Sequence, residues 1–399
     1  MKPACGLLFL FACSLIFILW LAPLAEAQSE TVLYRFRGGA DGAIPWSAPV
    51  LDAQGDLYGT TEYGGGQGSC AQSSPCGTVY RLHPQQKRPW KETILHRFTG
   101  GADGGFTRAQ LIFDPAGNLY GTTYLGGDIS CAAPTGCGTV FELTPSQTGW
   151  SYAVIYAFRH GDESIGPEAG LTLDNSGNLF GTTTVGKGTV FELTPNGSGW
   201  SESTLYTFGG IQDPIAPVIL GPQGHLFGTI YEGAIFELAP DSGDYTATII
   251  GRTKGSFAGL VMDSAGNLYG TDAYADTVYE LVKTNSGYRK TTLYVFKGGN
   301  DGTGPSYGSL VFDQAGNLYG TTTSGGPRGQ GTVYKLSANP DGSWNEKVLY
   351  SFKGGSDGAV PMAGVTLDST GNLYGTTING GSTRCQNGCG VVYRLVPGQ

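Results

Sequence analysis

Charge is scarce in this 399-residue chain: only 14% of residues are Asp, Glu, Lys or Arg, and the formal net charge is -9. No basic run offers counter-charge to phosphates, which argues against a nucleic-acid partner. No long acidic run occurs either, so the acidity reads as solubility. CxxC spacings and nearby histidines, the marks of a zinc site, are absent around the cysteines. Outside the first residues no amphipathic helical period appears, which excludes a helical bundle. Disorder is excluded by what replaces charge, namely 12% aromatics and 40% hydrophobic residues.

What is present begins with an export pattern. Lys2 is followed by the apolar run "GLLFLFACSLIFILWLAP" and by "AEAQ", with Ala25 and Ala27 as small residues before Gln28. Residues 1–27 therefore read as a signal peptide and 28–399 as one mature domain. The apolar run is also long enough for an uncleaved anchor, and Cys13 weakly mimics a lipid-attachment site. With the leader removed, no membrane span is expected.

Six cysteines lie beyond Cys5 and Cys13. They fall in local pairs, Cys70 with Cys76, Cys131 with Cys137 and Cys385 with Cys389. Even pairing in an exported chain reads as disulfides, with zinc as the rival. Each bridge closes a short loop, for which the chain-entropy model gives roughly 2–3 kcal/mol.

The commonest phrase is a repeat. "D-x-x-G-N-L-Y-G-T" begins at Asp52, Asp114, Asp174, Gly221, Asp263, Asp313 and Asp368, the copy at Gly221 having lost its Asp and carrying His225 for Asn. A short apolar stretch precedes each copy. A run such as "GTVFEL" follows across a variable loop, then a fourth run such as "AVIYAF". These runs are short, β-branched and aromatic, and bounded by Gly, Pro, Asn and Asp, so they are strands, A to D in order. Four strands per unit at this period predict an all-β, seven-bladed β-propeller. The last unit lacks a D strand, whereas Thr31–Phe36 is a D strand with nothing before it. Pairing the two closes the ring and removes the open edge. The Asp is expected to cap the A–B turn, the first Gly to take positive φ and the second to admit a neighbouring backbone. Trp90, Trp150, Trp200 and Trp344 recur before strand D and read as packing between blades. One charge recurs on strand C (Arg81, Glu142, Glu192, Glu237, Glu280, Lys335, Arg394) and reads as a solvated outer strand.

The tandem "GNLYGTT…GG…GTVF.L" resembles the GloVer-type tandem-repeat proteins, an exported bacterial family. The resemblance covers essentially the whole mature chain. It implies an exported β-propeller and brings no activity that transfers residue by residue.

Strand order puts the D-to-A and B-to-C loops on one face. There the copies differ, and three B-to-C loops carry cysteine pairs, so that face is where binding is expected. Its candidate ligand residues are Asp41, Asp103, Arg108, Glu163, Glu168, Asp213, Asp301 and Asp357. Several of these aspartates sit in "DG" turn signals, which leaves a purely structural role open for them. No catalytic residue, metal-ligand set or cofactor motif is assigned. The leading expectation is a monomeric binding or surface-interaction module for an unidentified ligand, a carbohydrate or a protein being the classes considered. A secreted hydrolase or lyase and a structural envelope component are the alternatives.

Overall fold

The computed structural model describes residues 29–66, 70, 76–85, 89–131, 135–159, 164–197, 199–209, 213–305 and 307–397. The expected leader, and Glu163 among the candidate site residues, lie outside the described residues. Seven four-stranded antiparallel sheets form a seven-bladed β-propeller. In blade 1 the strands are A (Val50–Leu51), B (Leu57–Thr61), C (Thr78–His83) and D (Lys91–Arg97). Among the described residues, no helix is long and apolar enough to cross a membrane.

Ring closure follows the expectation. Ser29–Arg35 lies antiparallel on Val391–Val396, with Thr31 opposite Arg394, and serves as strand D of blade 7. The strand starts two residues earlier than the apolar pattern suggests because Ser29 still pairs with Val396. The poor-looking "TIIGRT" is likewise part of a full strand, Asp244–Arg252. A side chain at Gly251 would press on Leu281 of the next blade and on Ile235, so the glycine suits the close packing there.

The repeated phrase has a physical role at each letter. Asp114 accepts from the Asn118 backbone N–H (2.8 Å), the Asn118 side-chain amide (2.8 Å) and the Tyr120 hydroxyl (3.2 Å). Gly117 supplies the positive φ of 90° that the turn needs. In blade 1 Asp56 replaces the Asn and is fully buried, and Arg81 and His83 hold its carboxylate. In blade 4, where the Asp is lost, the turn becomes the 3-10 segment Pro222–Gly224.

Two sequence expectations need correction. The second glycine does not make room for backbone. A side chain at Gly121 would strike the Phe141 ring of strand C and Leu111, so the glycine accommodates an aromatic of its own blade. Nor are the strand C charges on a solvated rim. That strand is third of four and covered, so Glu142 and Glu280 are half-buried acceptors for Tyr120 (3.0 Å) and Tyr269 (2.8 Å). Lys335 lies over the Tyr319 ring.

Blades are joined by the first Thr of "GTT". Thr122 donates to the Ala169 carbonyl of the next blade (2.9 Å), Thr321 to Ala363 (2.7 Å), and Thr376 to Ser47 across the closure (3.1 Å). The tryptophans add aromatic contacts across the same seams, Trp150 on Tyr58, Trp200 on Tyr120 and Trp344 on Tyr269.

Candidate functional site

A cavity of about 710 Å³ touches all seven blades, which places it on the ring axis. Its lining follows from register. Six residues before each turn Asp, or before Gly221 in blade 4, the chain carries Trp46, Arg108, Glu168, Ile215, Phe257 and Tyr307, all of which line the cavity. Met362 holds that place in blade 7. Two residues further on the column is small in most blades, with Ala48, Gly170, Gly259, Ser309 and Gly364. Those small residues leave the volume open beneath the larger ring. Deeper still the A strands contribute apolar side chains such as Ile112, Val261 and Val311.

A second column rims the mouth. The residue after "GTT" is Glu62 in blade 1 and Tyr124 in blade 2, and Tyr231 holds the same place in blade 4. Its backbone N–H is tied to the D-to-A loop of its own blade, Glu62 to the Ile44 carbonyl (3.1 Å), Tyr124 to Phe106 (3.2 Å) and Tyr231 to Asp213 (2.9 Å). Both columns therefore belong to the D-to-A and B-to-C face. A shallower depression of about 830 Å³ opens on the opposite face among A–B turn residues, with Asp52 and Asp368 already used as turn acceptors.

One arc of the mouth is ionic. Arg108 donates through Nε to Glu62 (2.8 Å) and through a terminal nitrogen to Glu168. Its guanidinium stacks over Trp46 and Phe106, at 4.7 and 4.9 Å from the ring centroids. The Trp46 indole N–H donates to the other oxygen of Glu62. Glu62 is buried, and desolvation raises its pKa although Arg108 and Trp46 oppose that. Burial also works against the charge of Arg108, but Glu62 and Glu168 outweigh it and raise the guanidinium's pKa. Asp213, at the end of the ionic arc, has its pKa raised by desolvation and then by Glu232 and Glu168.

The other arc is aromatic. Trp46 meets Tyr307 edge-on at 5.6 Å, Tyr307 lies 4.2 Å from Phe257, and Phe257 lies 4.9 Å from Tyr231. The Tyr231 hydroxyl is 2.9 Å from that of Tyr274, which extends the arc outward.

The three cysteine pairs have Cα separations of 5.2, 5.6 and 5.2 Å for Cys70–Cys76, Cys131–Cys137 and Cys385–Cys389. Each braces the loop entering the following blade. The carbonyls of Cys389, Cys76 and Cys137 accept from Ile44 (2.9 Å), Phe106 (2.9 Å) and Gly166 (3.0 Å). These acceptors hold left-handed residues, Ile44 at φ 58° and Phe106 at φ 61°. A β-branched or bulky residue there costs about 1–3 kcal/mol and persists only where its surroundings over-determine it. Two residues later come Trp46, Arg108 and Glu168, so the bridges sit under the loops that deliver the ionic arc.

Of the eight candidate residues, the structure brings Arg108, Glu168 and Asp213 together at the cavity. Asp41, Asp103, Asp301 and Asp357 are placed apart from it, as turn acceptors. Asp301 takes the Lys297 N–H (2.6 Å) and the Tyr294 hydroxyl (2.8 Å), and Asp357 takes Lys353 and Tyr350 in the same way. Asp41 repeats this with Arg37 and Tyr34. At Asp103 burial acts to raise the pKa, but His96 and Thr99 outweigh it and the result is lowered. Trp46, Glu62, Tyr231, Phe257 and Tyr307 escaped the reading of single loops. They become visible when the copies are stacked in register, where the column six before the turn carries a different residue in every blade and the one after "GTT" varies with it.

No curated protein matches the chain in sequence. A family model described as Gloeobacter/Verrucomicrobia repeat matches residues 22–233 and 273–399. Among solved structures, virginiamycin B lyase from Staphylococcus aureus is similar with a TM-score of 0.58 at 14% identity, over 92% of this chain and 98% of that one. A catalytically inactive form of that enzyme with quinupristin gives 0.59 at 15% identity, over 92% and 99%. A putative 6-phosphogluconolactonase from Bacteroides fragilis gives 0.54 at 12% identity, over 77% and 86%. Identities this low carry the propeller fold and nothing of activity.

Proposed function

The chain belongs to the Gloeobacter/Verrucomicrobia repeat family, and on that premise we propose that it is an exported propeller that binds a small ligand at the axial mouth of its D-to-A face. The observation that carries this is the column of Trp46, Arg108, Glu168, Ile215, Phe257 and Tyr307 around one cavity. Elsewhere the repeat spells almost the same residues in every blade, as a scaffold requires. Here each blade supplies a different residue, sorted into an aromatic arc and an ionic one, as a ligand with different sides requires. The cavity volume is in the range of small-molecule sites. Apolar floor, aromatic arc and ionic arc are held before any ligand arrives, because the cysteine pairs and the Arg108 network fix the side chains. Such preorganisation lowers the ordering cost of binding. Export is supported by the leader pattern and by the bridged cysteines.

A thermal-shift screen of small molecules against oxidised protein spanning residues 28–399 tests the reading. Ligands that raise the midpoint are then titrated against Trp46→Ala and Phe257→Ala. Affinity is expected to fall about tenfold or more in each. Ligands that bind both variants as well as the parent protein would remove the mouth from the proposal.

A further inference from the structure

The charges at the mouth do not cancel, and that narrows the ligand. Arg108 is the cation among the described residues lining the cavity, and it is already engaged by both Glu62 and Glu168. Asp213 lines the same cavity, and its carboxylate feels the like charges of Glu232 and Glu168, with the Tyr124 phenol also within its field. Among the described residues lining the cavity, two carboxyl groups, Glu168 and Asp213, thus stand against one guanidinium, with Glu62 behind it bound to Arg108 and Glu232 exposed beyond Asp213. A neutral or anionic guest leaves that imbalance in place, whereas a cation relieves it.

Next to Asp213 the wall is aromatic. Tyr231 is tied to the Asp213 carbonyl through its backbone, and Phe257 and Tyr307 follow around the mouth. Ring faces are negative by their quadrupole and attract a cation, most strongly when the site is partly dry. They offer no lone pairs to a hydrated metal ion, which prefers a shell of oxygens. An alkylated ammonium suits both parts, because its carbons can lie on the rings and its charge can meet the carboxylate.

We infer that the axial mouth takes an organic ammonium ion, with the charged head at Asp213, Glu168 and Glu232 beyond it, and the apolar body on Phe257, Tyr307 and Trp46. This rests on the reading of the mouth as a ligand site and adds the chemical class. Arg108 then has a positioning role. It holds Glu168 and the Trp46 face in place, and it restricts the sites left open to a cation to the Asp213 side.

Calorimetric titration of the intact, oxidised chain with matched probes tests it. Choline is compared with its neutral isostere 3,3-dimethylbutan-1-ol, and benzylammonium with benzyl alcohol. Each cation is expected to bind about tenfold or more tightly than its neutral partner. Asp213→Asn should remove that preference, with the neutral probe's affinity as the internal reference. Glu232→Gln, at an exposed position, should reduce the preference without any effect on folding, and so serves if Asp213→Asn lowers the melting midpoint. Raised salt should weaken the cations alone. Equal affinity within each pair, or a preference untouched by both variants, overturns the ammonium assignment. If those probes still weaken in Trp46→Ala and Phe257→Ala, the mouth stands as a site for another class. Binding of neither cation, together with screening hits that ignore the mouth variants, overturns the class and the site together.

Discussion

At the scale of single residues, the least replaceable group is Glu62. It is a buried carboxylate whose partners come from two blades, Arg108 from blade 2 and Trp46 from blade 1. Removing one partner of a buried pair leaves an uncompensated charge, at a cost of about 3–5 kcal/mol. Arg108→Met is therefore expected to lower unfolding stability by about 3 kcal/mol in denaturant titration. The double variant Glu62→Gln with Arg108→Met should recover most of that loss, and strict additivity of the two changes would contradict the pairing. Turn chemistry at this scale was legible in the sequence, since an Asp three residues before a Gly-Asn predicts its own cap. The Glu62 network was not, because Glu62, Trp46 and Arg108 are distant in sequence and meet only when neighbouring blades stack.

At the scale of strands, one column on strand D sets a pH dependence. Glu92, Glu346 and Glu30 sit opposite Leu82, Leu336 and Leu395 in their blades. Desolvation is the first cause of their raised pKa values, to about 8 for Glu92 and about 7 for Glu346 and Glu30. Asp41, Asp301 and Asp357 add like charge to each in turn. The folded chain thus keeps protons that the unfolded chain releases near 4.5, so stability falls as pH rises from there through about 7–8. Turn aspartates such as Asp263, Asp313 and Asp368 are shifted down by their amide and hydroxyl donors, although burial opposes it, and they act below this window. The melting midpoint should decline between about pH 5 and pH 8, and Gln at all three glutamates should flatten the profile. A midpoint that rises over that interval would contradict the assignment. Strand positions themselves were readable from β-branched runs between turn signals. These acids were not, because their burial depends on the preceding blade lying over them, as Tyr34 lies on Glu92.

At the scale of the molecule, the number of blades and the closure were legible because both follow from counting. Seven copies of one phrase and one orphan D strand leave few other arrangements. Even the stretch 234–272, which lies outside the family match, folds as an ordinary part of blades 4 and 5. The identity of the mouth was the least legible, since an axis exists only after seven units have been bent into a circle. The ring is also the premise of the site, for an open array would carry the same columns with no cavity between them. Strand Ser29–Arg35 is what closes it, burying Leu33 against the last blade and the first. The most direct measurement compares denaturant midpoints of the chain beginning at Gln28 and the chain beginning at Phe36. The closed ring predicts a loss of more than about 3 kcal/mol, with association through the bared edge. An unchanged midpoint in a monomeric shortened chain would contradict the ring and the mouth it creates.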